Sequence, residues 1–526
     1  MALSSIVKKT CSECGKVAVE KGRINFGSSK LITLECGHVT HEEILQQADY
    51  ASIVSSDNRR LMPYQIDGVK FLEQSDAKAI LADEQGLGKT VQVAALIKLH
   101  PKELLPAIVT CPTTVKLQWH HEIIRWCGVQ GYLCQVISSG KELAAPGFDI
   151  YITTYDLLKN EKCFEMVKDN IKLVVIDECQ RIKNHLSDRA KAVQKICKNV
   201  EHIIPMSGTP IKNNAGEYFT VLNLVKPRLF PQYTSFIERD CDSYHNGWSY
   251  KVGGLRNPEA FHEKTKEFIL RRTKSEVLPD LPELMRKFNH VELDRKMNKV
   301  YNGLMDELEE LYYNGEDGIQ KSSSMIAIMS KMRHITGISK VEACVDHVTE
   351  FLLSNERKIV IFVHHHDVAT MLQKSLDNWL VDGGFKPVLN LTSNLSGDER
   401  AAMVARFKDE DYRVMIASTL AAGEGINLQF CSDCIMLERQ WNPANEEQGE
   451  SRFHRFGQIN TVSVSYMIAS ETIDEYFTEL VEQKRAIVAS TLDNKEIQWD
   501  QTSLMSQLAT VLVTKGKKAW KLLYHP

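Results

Sequence analysis

"LADEQGLGKT", residues 81–90, is the stretch on which the fold turns. It leaves the apolar run "AIL" at 79–81 and enters "TVQVAALIKL" at 90–99, so a glycine-bearing loop joins a strand to an amphipathic helix. A phosphate-binding loop needs that setting. Its glycines let backbone N–H groups wrap phosphates, the helix N-terminus adds positive potential, Lys89 reaches the β- and γ-phosphates, and the Thr90 hydroxyl reaches Mg²⁺. The general pattern G-x-x-x-x-G-K-[ST] asks for a glycine where this chain has Asp83. Gly86, Gly88, Lys89 and Thr90 nevertheless keep the groups that touch phosphate and metal. A Gly-Lys-Thr at a helix start is by itself more often structural, so a second element has to decide.

That element is "LVVIDE" at 173–178, an apolar strand ending in two carboxylates. Asp177 is placed to hold Mg²⁺ and Glu178 to orient an attacking water. Further β-rich runs at 106–111, 148–155 and 202–208 alternate with helical ones, which predicts a parallel sheet with helices on both faces. From 229 the β-runs thin out around the charged, helix-prone "LDRKMNKVYNGLMDELEELYYNGED" (293–317), and strand-like runs return at 358–363, 387–392, 413–419, 434–438 and 462–468. The expected fold is α/β with two parallel-sheet domains, 49–228 and 341–490, separated by a helical insertion at 229–340. A small Cys/His module at 1–48 precedes them, and a tail at 491–526 follows, its basic end "VTKGKKAWKLLYHP" (513–526) expected to be peripheral. In the second domain "QGESRFHRFGQ" (448–458) sets Arg452 and Arg455 three apart. On a helix they share a face and can act on the charge developing at a nucleotide held by the first domain, which would tie hydrolysis to domain closure. Read alone, the same pair is a solvated basic face.

Charge announces no partner: 64 basic and 68 acidic side chains leave a formal charge of -4, so any polyanion site has to be a local basic surface. Thirteen cysteines, an odd number scattered through helical and strand-like segments, suit reduced thiols. No apolar run is long enough for a signal peptide or a membrane span, so an intracellular protein without membrane contact is expected. Cys11 and Cys14 form a C-x-x-C-G knuckle, and 22 residues further on Cys36 with His38 or His41 completes a tetrahedral donor set for Zn²⁺. Free cysteines are the alternative. His364, His365 and His366 follow a strand-like run and, read alone, could form a metal cluster.

Taken together these segments resemble the helicase-like ATPases of superfamily two, and within it the SWI/SNF-like double-stranded DNA translocases. "LMPYQIDGVKFL" (61–72) is similar to the adenine-recognising Q motif, which points to Gln65. "ADEQGLGKT" is similar to this family's motif I, where Asp in the first glycine slot is usual, although Gln85 stands where Met is commoner. "IVTCPTTVKLQW" (108–119) and "ITTYDLL" (152–158) resemble motifs Ia and Ib, which contact the DNA backbone in the family; Thr110, Thr113 and Thr153, with Lys183, are the residues this implies here. "DECQRIKN" (177–184) resembles motif II with Cys179 for Ala and Gln180 for His, and "MSGTPIKNN" (206–214) resembles motif III, acting through Ser207 and Thr209. "LRRTKSEVLPDLPE" (270–283) is similar to a stretch between the lobes that separates these translocases from strand-separating helicases. The run from "ASTLAAGEGINLQF" (417–430) through "RFHRFGQ" (452–458) resembles motifs V and VI, which implies nucleotide contacts at Gly425 and Gln448 and arginine roles for Arg452 and Arg455; Ser451 stands where Asp is usual.

The resemblance spans roughly residues 60–470. "IFVHHHDV" and "MRHITGISKVEA" are nearest the branch of HARP-type annealing helicases, which rewind DNA and remodel forks. What it implies is two RecA-like lobes that bind ATP and Mg²⁺ between them and move along double-stranded DNA, forked or branched DNA included. A strand-separating DNA or RNA helicase is the alternative reading. A nuclease-associated motor would need a carboxylate or His-metal constellation of its own, and a silent scaffold would lack hydrolytic residues that this chain has. The short ends suggest a compact microbial or viral motor.

Overall fold

The computed structural model describes residues 8–10, 17–26, 29–34, 39–43, 50–128, 132–208, 214–245, 250–314, 319–392, 395–418, 426–440, 443–491 and 512–513. The chain divides into two compact units, Met1–Leu61 and Met62–Pro526. In the first, β1 (Lys8–Thr10), β2 (Val17–Phe26), β3 (Ser29–Leu34) and β4 (Val39–Glu43) form an antiparallel sheet in that order.

The second unit holds two all-parallel sheets. Its first lobe runs through β5 (Ile80–Leu81), β6 (Ala107–Cys111), β7 (Cys134–Val136), β8 (Ile150–Thr154), β9 (Leu173–Asp177) and β10 (His202–Met206). A hairpin of β11 (Cys241–His245) and β12 (Tyr250–Leu255) follows, and then β13 (Ile269–Leu270). The order across the sheet is β13-β5-β10-β9-β6-β8-β7. The second lobe comprises β14 (Leu284–Val291), β15 (Ile359–Val363), β16 (Leu389–Leu391), β17 (Val414–Ser418), β18 (Asp433–Met436) and β19 (Val462–Ala469), ordered β14-β19-β18-β15-β17-β16.

The central strands are buried on both faces, and for that reason their sequences are unbroken apolar runs: β6, β8 and β15 have no exposed residue. Helices cover the faces with stripes of matching period. Helix His366–Asp382 buries Val368, Leu372, Leu376 and Leu380, each one turn after the last, against Ile359, Ile361 and Val363 of β15.

Two expectations need correcting. Segment 229–340 is not only helical: β13 extends the first sheet beside β5, and β14 pairs with β19 along eight residues to edge the second. Both escape a search for apolar runs because β13 is two residues long and β14, an edge strand, leaves Met285, Arg286, Lys287 and Phe288 exposed. The tail is not wholly peripheral either, since Leu512 and Val513 are buried in a cluster with Met305, Met329, Met332 and Phe477. Among the described residues ten cysteines are free thiols, and no helix is long and apolar enough to cross a membrane.

Candidate nucleotide site between the lobes

The loop after β5 adopts the conformation its glycines permit. Gly86 and Gly88 have φ of 90° and 74°, the left-handed region in which a Cβ is strained, and helix Lys89–Leu99 starts immediately afterwards. Its first N–H groups have no intrahelical partner and face the carboxyl ends of the strands, where parallel α/β sheets place ligands. Gln65 braces the loop by donating from Nε2 to the Leu87 carbonyl at 3.3 Å, while its Oε1 accepts from the Met62 N–H at 3.0 Å. The Lys89 ammonium donates to the carbonyls of Asp83 at 2.7 Å and Glu84 at 3.3 Å. Burial lowers its pKa, against the opposing pull of Glu178, Asp83 and Asp177.

Asp83 occupies the missing-glycine slot for a reason the sequence did not reveal. Its carboxylate is fully buried and paired two-pronged with Arg272, at 2.5 Å to Nη2 and 3.0 Å to Nε, and it also accepts from Gln92 Nε2 at 3.0 Å. The neighbouring residues of "LRRTK" do similar work. Arg271 donates to the carbonyls of Ala82 at 2.9 Å and Gly208 at 3.2 Å, and the Lys274 N–H donates to Glu84 at 2.7 Å. The segment that follows β13 thus clamps the loop with basic residues. The stretch was legible as a family mark, but its contact with residue 83 was not, because 189 positions separate the partners.

At the end of β9 the two carboxylates divide their tasks. Asp177 Oδ2 accepts from the Trp119 indole N–H at 2.8 Å and Oδ1 from the Glu178 N–H at 2.9 Å, which fixes the plane of the carboxylate. In the sequence Trp119 stands only as the last residue of the run 108–119 that is similar to motif Ia. Burial, then repulsion from Glu178, pushes the Asp177 pKa up to about 6. Glu178 sits at φ 54°, unusual for a residue with a side chain, and this turns its carboxylate towards the second lobe. Gln180 Nε2 donates to Glu178 Oε2 at 2.5 Å, and Gln180 Oε1 accepts from the Ser207 hydroxyl at 2.6 Å. Gln180, where the resembled motif II has His, therefore keeps a side-chain link from the Glu178 carboxylate to the stretch similar to motif III.

The second lobe reaches this site directly. Gln448 Nε2 lies 3.4 Å from Glu178 Oε1. Arg455 packs on the phosphate loop so closely that a Cβ built on Gly86 would stand 3.3 Å from Arg455 Cβ. Arg455 also donates to Asn427 Oδ1 at 3.3 Å, and burial, with the nearby charge of Arg452 adding to it, pushes its pKa down to about 10, which leaves it cationic at neutral pH. The arginines do not share a helix face: helix Pro443–Glu450 ends before them and 451–457 are turns. A turn brings Arg455 under Gly86, where continued helix would carry it on along the axis. Arg452 is half-buried beside it. Thr90 opens the helix next to Lys89, so Thr90 and Asp177 are the side chains available to a divalent cation, and Lys89 with the loop amides to phosphates.

The expected DNA contacts fare less well. Thr110 and Thr153 are paired neighbours on β6 and β8 with fully buried side chains, so neither hydroxyl can touch a phosphate in this conformation. Their position inside a two-sided sheet is the cause. Thr113 is exposed, and Lys183 is ion-paired with Glu217 at 2.5 Å. His365 pairs with Glu438 at 2.5 Å, and Glu438 also accepts from the N–H groups of His364 and His365, a structural role for that His run. Among the described residues no group of three or more His, Cys, Asp or Glu could hold a metal. Gly425, Thr209, Cys11, Cys14, Cys36 and His38 lie outside the described residues.

Two parallel α/β lobes meeting over a phosphate-binding loop define a two-lobed, helicase-like P-loop protein. The chain belongs to the SNF2-related family: the SNF2-related domain matches residues 64–345, and the helicase conserved C-terminal domain matches 339–457. It is 28% identical over 445 residues to the SWI/SNF-related matrix-associated actin-dependent regulator of chromatin subfamily A-like protein 1 of Xenopus laevis, covering 84% of this chain and 45% of the relative. It is 27% identical over 451 residues to the DNA annealing helicase and endonuclease ZRANB3 of Mus musculus, covering 83% of this chain and 41% of that protein. This chain therefore spans under half the length of either. The Sulfolobus solfataricus SWI2/SNF2 ATPase core in complex with dsDNA aligns at 24% identity with a TM-score of 0.40, covering 87% of this chain and 96% of that one.

Proposed function

We infer that this chain is an ATP-dependent motor that tracks along double-stranded DNA without sequence preference, hydrolysing ATP with Mg²⁺ between its two lobes. The observation that carries the reading is the meeting of Gln448 with Glu178 and of Arg455 with Gly86, because it brings both lobes to one phosphate site. In that site Lys89 and the loop amides bind phosphate, Thr90 and Asp177 hold the metal, and Glu178 orients water. Arg455, with Arg452, neutralises the charge that develops on the phosphoryl group. Opening and closing of the lobes then moves the chain in small steps. The name of the DNA annealing helicase relative supports strand annealing as its use, fork remodelling being the other, with 49–228 and 341–490 as the working lobes.

A structural zinc ion on Cys11, Cys14, Cys36 and His38 belongs to the same reading. What supports it is strand pairing: Thr10↔Val17 and Thr33↔Val39 are the last pairs of two hairpins, and Glu20↔Leu34 keeps them at one end of the sheet. Metal analysis of the purified protein tests it, and a metal-free protein sinks it.

The motor reading is tested by measuring ATPase activity with duplex DNA, single-stranded DNA, forked DNA and RNA in parallel. Stimulation by duplex or forked DNA is expected. A response to RNA alone would overturn it, and a response to single strands with unwinding would favour the strand-separating helicase.

A further inference from the structure

Two departures from the resembled motifs touch each other. Gln85 stands where motif I commonly has Met, Ser451 stands where motif VI usually has Asp, and Ser451 Oγ lies 3.1 Å from Gln85 Oε1 across 366 positions of sequence. Ser451 Oγ also lies 2.9 Å from the Gln448 carbonyl. A hydroxyl has one proton and two lone pairs, so it cannot donate fully to both oxygens. A half-turn of the Gln85 amide about its last bond reconciles both contacts of the hydroxyl: Ser451 then donates to the Gln448 carbonyl and accepts from Gln85 Nε2.

The pair is confined on both sides. Gln85 fills the space left by Gly208, where a Cβ would stand 2.3 Å from Gln85 Cγ and 3.0 Å from its backbone nitrogen. Ser451 is 4% exposed. Three residues before Ser451 stands Gln448, in contact with Glu178, and four after it stands Arg455, against Gly86. A carboxylate at 451 would have to be desolvated to enter this space, whereas a hydroxyl meeting an amide closes without burying a charge. A methionine at 85 would offer the hydroxyl only a weak acceptor.

We propose that Gln85 and Ser451 form an uncharged cross-lobe clasp that seats Gln448 and Arg455 over the phosphate loop, which makes them positioning residues for ATP turnover. This rests on the motor reading above. The test compares Gln85→Ala, Ser451→Ala, the double variant and Ser451→Thr in the full chain. Each alanine is expected to lower kcat of the DNA-stimulated ATPase about 3- to 10-fold, the range of one net hydrogen bond, with little change in KM for ATP. The double variant should be no slower than the slower single, because one contact is lost once, and Ser451→Thr should keep the rate. Additive losses, a change confined to KM, or failure of Thr to preserve the rate would overturn the clasp. Hydrogen exchange of the peptide around 84–88 without nucleotide provides a readout independent of turnover: Ser451→Ala should speed exchange there. A wild-type protein that hydrolyses no ATP would remove the motor reading and leave the exchange test standing, and unchanged exchange at 84–88 would remove the clasp.

Discussion

Asp177 is where the site's chemistry becomes measurable. Its pKa of about 6 lies above the ordinary carboxylate value because burial and Glu178 both disfavour the charged form. The folded state therefore holds a proton that the unfolded chain has already released between about pH 4 and 6, so this group's contribution to stability declines as pH rises through that window. Metal binding needs the ionised form. Apparent Mg²⁺ affinity in the presence of ATP should therefore fall about tenfold per pH unit below 6 and level off above it. Glu178→Gln removes the like charge and should move that break to lower pH, while cutting turnover by about 100-fold or more through loss of the water-orienting carboxylate. A break that stays at pH 6 in the variant would mean burial alone sets it. Arg272 offers a second residue-scale prediction. With its partner Asp83 fully buried, Arg272→Ala leaves an uncompensated carboxylate and should cost about 3–5 kcal/mol in urea unfolding of the full chain. A loss below about 1 kcal/mol would show that Gln92 alone satisfies Asp83.

Among the elements, what was legible followed from burial. The strands ending in Leu81, Cys111, Thr154, Asp177 and Met206 announce themselves as apolar runs because both faces of a parallel sheet are covered, and the loop after β5 is readable because only glycine relieves its left-handed turns. Gln65, Lys89, Asp177, Glu178, Gln448 and Arg455, singled out through local motifs, lie around the loop after β5 and the end of β9. What stayed hidden were contacts between distant segments: Trp119 to Asp177, Arg272 to Asp83, Ser451 to Gln85. The motif reading also misled where it placed Thr110 and Thr153 on DNA, since both lie in strands covered on both faces, which bury every side chain. Helix Pro63–Gln74 yields a prediction against local propensity. Gly68 lies in its interior, where Ala is ordinarily better by about 1 kcal/mol. A Cβ there would stand 1.8 Å from Gln92 Oε1 and 2.8 Å from Arg272 Nη2, so it would displace the amide that joins Asp83 to Arg272. Gly68→Ala should therefore destabilise the full chain, by about 1–3 kcal/mol in a denaturant melt. A stabilised variant would mean the clamp tolerates rearrangement.

For the whole molecule the decisive quantity is how ATP turnover answers to DNA and salt. A formal charge of -4 gives the chain no general attraction to a polyanion, so the proposed motor would hold DNA by local contacts to backbone phosphates. Such contacts release counterions. Even two neutralised phosphates make affinity fall about tenfold between roughly 50 and 200 mM salt, and six or more make it fall over a thousandfold. The DNA concentration giving half-maximal ATPase stimulation should rise at least tenfold over that range, equally for duplexes of unrelated sequence, while kcat at saturating DNA changes little. Lys89→Ala should abolish turnover at every salt concentration and yet leave DNA affinity and its salt slope intact, because the Lys89 ammonium is engaged by the phosphate-loop carbonyls of Asp83 and Glu84. That separation distinguishes a motor whose nucleotide and track sites are different surfaces from a chain that binds both polyanions at one site. In the second case competition between ATP and DNA would appear as a shared salt slope, and Lys89→Ala would weaken both together.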